Sequence, residues 1–496
     1  MKKINKKSII IYIFIFLITC IIFLPFISGH YATDTYNIIN KGYKEYAIKY
    51  SLNDGRPFMC LISLIAEKIN MPIQAYIITL TIIALLISCI SVIKLKNLII
   101  KYKTDKAKIS EYIVLAISYI IIFNFAFLEN MQFAECAVMA LSILVDIIIA
   151  QIIVEREKNY IPKSIVLTVI SVLLYQGTIN WLITITFFLS IIKENKINIQ
   201  VIKNVLLTGI CICIGYVVNL IQIKITGAIF NLSQTRMGNI KNVFYNFKYI
   251  LKNIYAILLN TYYLFPKYTL YIYTFGILIY EVCFESRNNI QLNILLLLVV
   301  CIGAVFAPNI ITLSAFGTGR MAFSIGAMIG LIIMYIYCNL EQRPKTHLRK
   351  IILYIIMISY VIVSLGYSML IMYNHKKVNT QDKQECELIG EWIKEYEESE
   401  NVEVKDIVFI YNNHSKRYYK NIKNHSALCY KALRTEWARI GAINYYNNRD
   451  FKDLLIEKNK SVDIGYYKNY FYDKTWNKLD REQLVFDGET LYYCLY

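Results

Sequence analysis

Charged side chains are sparse in the long apolar runs of this chain, so those standing at the ends of such runs are the first candidates for chemistry. Asp34, in SGHYATDTYN, is the first acidic residue and follows the first apolar run. A carboxylate there faces the headgroup region, where it can take a proton from a hydroxyl held within hydrogen-bond reach. The same residue type also starts helices. Asp or Thr ahead of Tyr36–Tyr50, with Ile39, Tyr43, Tyr46 and Tyr50 on one face, would cap an aromatic-rich helix lying in the membrane interface. The two roles are compatible.

Asp54-Gly55-Arg56-Pro57 closes the same polar stretch. Asp-Gly is turn chemistry and Pro suits the first position of a helix. Arg56 also has the fork geometry that grips a phosphate or carboxylate. Arg320, in SAFGTGRM, stands at the mouth of a late apolar run. A guanidinium there costs free energy unless it is paired or wet. Gly317 and Gly319 would let a phosphate reach backbone N–H groups at a helix start; the alternative is snorkelling to the headgroups. Arg236 and Lys241 add to that field or rest on anionic lipid.

Glu129 and Glu135 flank an expected outer turn, with Glu135 placed about three residues into a span. A second catalytic or sugar-binding acid, or an ion pair with Arg56 or Arg320, would account for it. Asp146, deeper in the same span, reads as a structural partner. Tyr175, Gln176 and Asn180 form a polar notch in an apolar run, either lining a cavity or bonding helix to helix.

The elements that must position these residues are membrane helices. The chain has 496 residues, 57% of them hydrophobic, and a mean hydropathy of +0.44, too apolar throughout for a soluble protein of that length. Runs of about 20 apolar residues match a hydrocarbon core about 30 Å thick, and in lipid a helix pairs its own backbone. The first run follows Lys2, Lys3, Lys6 and Lys7 and shows no A-x-A-type cleavage site, so it reads as an uncleaved span.

The expected spans are 9–28, 73–94, 111–128, 133–154, two short helices within 164–192, then 204–222, 268–284, 292–306, 321–338 and 351–372, about eleven in all. Residues 164–192 as one straight helix would rise about 44 Å, too long for the core, so a turn is expected at Tyr175-Gln176-Gly177. An interfacial helix is expected over 249–265. Basic loops such as KLKNLIIKYKTDKAK and EQRPKTHLRK are assigned to the cytoplasm, which puts the N-terminus inside and the C-terminus outside.

The net charge of +18 therefore reads as cytoplasmic loop charge on a membrane protein rather than as a nucleic-acid surface. Residues 1–372 form the multi-span domain, whose first outer loop, 29–72, carries the catalytic region. Residues 373–496 are polar, with an amphipathic helix at 387–398, a strand ending 402–411, a turn at Asn412-Asn413, a helix near 427–445 and later strands. They are expected to form a small extracytoplasmic α/β domain. Three of the 12 cysteines, Cys386, Cys429 and Cys494, fall there and leave room for one disulfide. Metal-ligand spacing is absent from the sequence.

The order of these pieces resembles the GtrII-type glucosyltransferase family, within the GT-C glycosyltransferases. The matching residues are Asn53-Asp54-Gly55-Arg56-Pro57, Glu129-Asn130-Met131-Gln132 leading to Glu135 and Met139, Tyr175-Gln176-Gly177 before Asn180, and Gly319-Arg320. The resemblance covers most of residues 8–372. It implies a multi-span GT-C-like fold in a bacterial cell membrane, with the catalytic acid in the first outer loop. It also implies a polyprenyl-phosphate hexose as donor and a cell-surface glycan as acceptor. Where family loops carry two adjacent acids, the second position here is Thr35.

The expected activity is hexosyl transfer on the outer side of the membrane, glucose being the hexose the family name implies. Asp34 would be the base, Arg320 and Arg56 would bind the donor phosphate, and Glu129, Glu135, Tyr175, Gln176, Asn180 and Asp54 would line the cavity. No cofactor beyond the donor is called for, and a divalent metal is left open. The partners are the donor lipid, the glycan and the bilayer. A flippase or a polymerase for a lipid-linked glycan is the alternative. A flippase would place its polar site near mid-membrane, whereas these ionisable residues gather at the outer mouth.

Overall fold

A computed structural model of the protein describes residues 6–103, 109–232, 242–284, 288–310, 312, 317–340, 347–411, 427–457, 465–476 and 478–495. Arg236, Lys241 and the Asn412-Asn413 turn lie outside them. The chain divides into two compact units, one of residues 1–29 and 47–371, the other of residues 30–46 and 372–496.

The first unit is helical. Among the described residues, six helices are long and apolar enough to cross a membrane, or eight if each of two bent pairs is one span. The expected total of about eleven also counted both arms around Tyr175 and two stretches, Ile9–Ile22 and Thr269–Phe284, that are shorter than such a span. The protein is thus a multi-pass membrane protein with six to eight candidate spans.

Both bends have local causes. Tyr160–Leu174 and Gln176–Glu194 meet at 117°, at the position where the run was too long to be one straight helix. Tyr175 is extended there, at φ −161° and ψ 112°. Glu111–Ile122 and Phe125–Met131 meet at 56°, where a single span to residue 128 was expected. Asn124 starts a new helix by accepting from the N–H groups of Ala126 at 2.8 Å and Phe127 at 3.2 Å. Glu129 is consequently helical rather than part of an outer turn.

Helices Ile73–Lys103, Cys136–Glu155, Tyr160–Leu174, Ile179–Glu194 and Ile199–Phe230 pack against one another. Phe323–Leu340 is buried on every side, as a helix apolar all round should be. Val243–Asn260, the expected interfacial helix shifted toward the N-terminus, buries Ile250, Ile254 and Ile257 and exposes Phe244, Tyr245 and Tyr255.

The second unit carries a four-stranded sheet. Its strands are β1 (Asp406–Tyr411), β2 (Lys452–Asp453), β3 (Leu484–Asp487) and β4 (Thr490–Leu495), in the order β2-β1-β4-β3. β1 runs parallel to β2 and β4, and β3 runs antiparallel to β4. The expected helix 387–398 is the end of a continuous helix, His347–Glu400. Ile389 and Ile393 pack into the unit's core with Ile407, Phe409, Ile443 and Tyr493. The expected helix near 427–445 is Arg439–Asn447, preceded by two 3-10 turns. Cys386, Cys429 and Cys494, which left room for one disulfide, are all free thiols.

Helix Thr33–Tyr46 belongs to this second unit. It begins before Tyr36 and breaks at Gly42, whose φ of 76° suits glycine. Tyr36 is buried and Ile39 packs on the same core. Of the rest of the expected aromatic face, Tyr46 is buried, and Tyr43 and Tyr50 are half-buried.

Candidate functional site

In the first unit, the turn at Asp54–Pro57 is set by its backbone. Gly55 has φ 77°, and a Cβ there would fall 2.5 Å from Nδ2 of Asn219, so only glycine lets the chain approach that helix. Two buried amides then clamp the turn. Gln176 Nε2 donates to the carbonyls of Asp54 at 3.2 Å and Gly55 at 2.8 Å. Asn219 Nδ2 donates to Gly55 at 2.7 Å. The residue following the turn is Arg56, whose Nε donates to Gln176 Oε1 at 3.4 Å. Its Cζ lies 5.3 Å from the centre of the Tyr175 ring, and Nη1 is 3.9 Å from Asp54 Oδ2. Asp54 is buried, and Arg56 keeps a quarter of its side chain exposed.

Tyr175 can fold back because the next residue but one is glycine: a Cβ on Gly177 would fall 2.5 Å from the tyrosine ring. Tyr175 shares a buried apolar cluster with Met59, Phe133 and Met139. The second arginine uses the same cluster. Arg320 Cζ is 4.3 Å from the centre of the Phe133 ring. The structure therefore brings Arg56 and Arg320 onto two rings of one cluster.

Glu129 is buried against the Arg320 turn, and its Oε2 accepts the backbone N–H of Arg320 at 2.9 Å. A Cβ on Gly319 would come within 2.7 Å of that same oxygen. This corrects the expectation that a phosphate meets the backbone N–H groups after Gly317 and Gly319. A carboxylate already holds the Arg320 N–H, and the guanidinium of the same residue rests on Phe133. Asn180 is also built into the fold. Its Nδ2 donates to the carbonyls of Gly177 at 2.7 Å and Met321 at 3.0 Å, and its Oδ1 accepts from Ser324 N at 2.8 Å. Its amide does the helix-joining work that was the alternative reading. Glu135 is buried but precedes helix Cys136–Glu155 instead of standing inside it. Asp146 is buried with Ser171 donating to it at 2.6 Å.

Beside the Arg320 turn, a small crevice with room for about one water lies between helix Val243–Asn260 and Gly317–Met321. Ile250, Ile257, Val305 and Met321 make it apolar, and Asn253 and Thr318 supply polar groups. Its lining includes Met321, which also meets the Tyr175 hydroxyl at 4.0 Å.

These residues are spread over the span that a known family model covers. The glucosyl transferase GtrII model matches residues 23–337. The chain belongs to the GtrII glucosyltransferase family. It is a glycosyltransferase, as the order of the acidic, Tyr-Gln-Gly and Gly-Arg segments implied. No curated protein matches the chain. The GtrII match contains Asp34, Arg56, Glu129, Tyr175 and Arg320 and ends before residue 372, so the sheet of the second unit lies beyond it.

Asp34 is the one candidate of this set in the second unit. It sits in the first helical turn, after Thr33, not ahead of the helix as a cap. Its Oδ1 accepts from Nε1 of Trp437 at 3.0 Å. Two contributors escaped the sequence reading. Asn219 had a usable signal, a polar amide within an apolar run. Trp437 had none, because nothing local links it to Asp34.

Proposed function

We propose that this protein transfers a hexose, glucose by its family, from a polyprenyl-phosphate donor to a bacterial cell-surface glycan on the outer side of the membrane. The observation that carries this reading is the pair of guanidiniums set on Tyr175 and Phe133 of one buried cluster. Both are fixed by rings or amides, Arg56 by Tyr175 and Gln176 and Arg320 by Phe133.

The acceptor hydroxyl gives its proton to the Asp34 carboxylate as its oxygen bonds to the anomeric carbon. The bond from that carbon to the phosphate oxygen breaks, and polyprenyl phosphate leaves with the electron pair. Arg320 and Arg56 take up the charge on the leaving phosphate. The buried Glu129 holds the Arg320 turn in place. The N-terminus is cytoplasmic, the C-terminal domain extracytoplasmic, and the chain crosses about eleven times when the shorter apolar helices and each arm around Tyr175 span too.

Incubating purified protein with polyprenyl-phosphate glucose and the surface glycan of cells lacking the gene tests the reading. Release of polyprenyl phosphate, lost in Asp34→Asn, supports it. Movement of intact lipid across the bilayer without release supports a flippase instead. Wild-type turnover by Asp34→Asn removes the base assignment.

A further inference from the structure

We infer that Trp437, in the C-terminal domain beyond the family match, is part of the acceptor-sugar subsite and positions the carboxylate of Asp34. The inference rests on the proposal that Asp34 is the base.

Residues 30–46 are a fitted piece of the second unit. Tyr31 N donates to Asn379 Oδ1 at 2.9 Å, and Asn379 Nδ2 donates back to the Tyr31 carbonyl at 2.8 Å. The hydroxyls of Tyr31 and Tyr445 and those of Tyr36 and Tyr446 are each 3.0 Å apart. Gly441 leaves no room for a side chain, because its Cβ would fall 2.2 Å from the Tyr36 carbonyl oxygen. Asp34 is thus carried on a helix whose place is fixed by the C-terminal domain.

The indole N–H of Trp437 ends on Oδ1 of Asp34. Among the described residues, Oδ2 takes no hydrogen bond, which leaves it for a proton arriving from an acceptor. Burial does not explain the tryptophan, since Trp437 is 51% exposed. With its single donor engaged, what it still offers is the exposed half of an aromatic ring beside a carboxylate. Sugar rings present C–H faces, which suit the negative face of an aromatic ring, and hydroxyls at their rims, which suit a carboxylate acceptor. One pyranose stacked on the indole would put a rim hydroxyl at Asp34.

The test uses full-length protein in nanodiscs, polyprenyl-phosphate glucose as donor and the surface glycan of cells lacking the gene as acceptor. Trp437→Phe keeps a ring and loses the N–H, so kcat falls roughly tenfold while the KM for glycan stays within twofold. Trp437→Leu loses both, so the glycan KM also rises roughly tenfold. The donor KM is unchanged in both. An unchanged glycan KM in Trp437→Leu overturns the subsite, and an unchanged kcat in Trp437→Phe overturns the positioning role. Asp34→Asn is measured alongside: if it turns over normally while Trp437→Leu raises the glycan KM, the base reading fails and the subsite stands. An unchanged thermal midpoint confirms that both tryptophan variants fold.

Discussion

The buried carboxylate of Glu129 accepts the backbone N–H of Arg320 at 2.9 Å, and the Arg320 guanidinium lies 4.3 Å from the centre of the Phe133 ring. Backbone and side chain of one residue are therefore fixed by two different partners. Gly319 is what allows the first contact, since any Cβ would meet the Glu129 oxygen. The side chain is then partly exposed at a defined position, as a group that reads an anion without first reorganising should be.

Removing the carboxylate isolates its contribution. Glu129→Ala leaves a buried N–H without its acceptor and is expected to cost about 1–3 kcal/mol. Glu129→Gln keeps a carbonyl oxygen and should lose less than half of that. Thermal unfolding in detergent reads both. Equal losses in the two variants would mean that the charge, not the hydrogen bond, is what the turn requires.

Arg320 is expected to act through geometry as well as charge. Arg320→Ala removes a charge-assisted contact of about 1.5–3 kcal/mol, so the donor KM should rise about 10- to 100-fold. Arg320→Lys keeps the charge but loses the planar fork and its stacking on Phe133. It should recover only part of the loss. Full recovery by lysine in steady-state transfer assays would reduce Arg320 to a point charge.

How much of this was legible depends on distance along the chain. The break at Tyr175-Gln176-Gly177 was readable, because a run of known length either fits the bilayer or bends. That Arg56 and Arg320 would need partners was readable, because a charge at a span end needs a reason, and each rests on an aromatic ring. The bend at Asn124 was missed although a cap residue stood in view, since apolar periodicity continues on both sides of it. The Glu129 contact with Arg320 was hidden by the assumption that a short glycine-rich turn leaves its N–H groups open. The joining of residues 30–46 to the C-terminal domain had no local signature at all: Tyr31 and Tyr36 meet Tyr445 and Tyr446, more than 400 residues away, and no pattern near them announces it.

The free cysteines of the second unit give a check on its core. Burial pushes the Cys494 thiol up to about 12, with Lys474 pulling it slightly back. The folded pKa is thus above the unfolded value, so the thiol's contribution is intact below the ordinary cysteine range near 9.0 and is lost as pH rises from there toward about 12. At pH 8.5 the native protein should resist iodoacetamide at Cys494, and unfolding should expose it. Prompt alkylation of Cys494 in folded protein, read by mass spectrometry, would contradict the buried strand β4.

Gln176 and Asn219 act on the same carbonyl, that of Gly55, and they touch each other, Gln176 Nε2 lying 3.3 Å from Asn219 Oδ1. Either amide alone leaves the carbonyl one donor, whereas removing both strands a buried acceptor. The double variant Gln176→Ala/Asn219→Ala should therefore lose more than the sum of the single variants, with an interaction of about 0.5–3 kcal/mol. Because Arg56 follows this turn and bonds to Gln176, Gln176→Ala should also raise the donor KM while Asn219→Ala leaves it nearly unchanged. A double-mutant cycle on thermal stability, with donor KM measured for each member, separates the two effects. Strict additivity would show that the two amides hold the turn independently, and equal KM changes would show that Arg56 is placed by the turn alone.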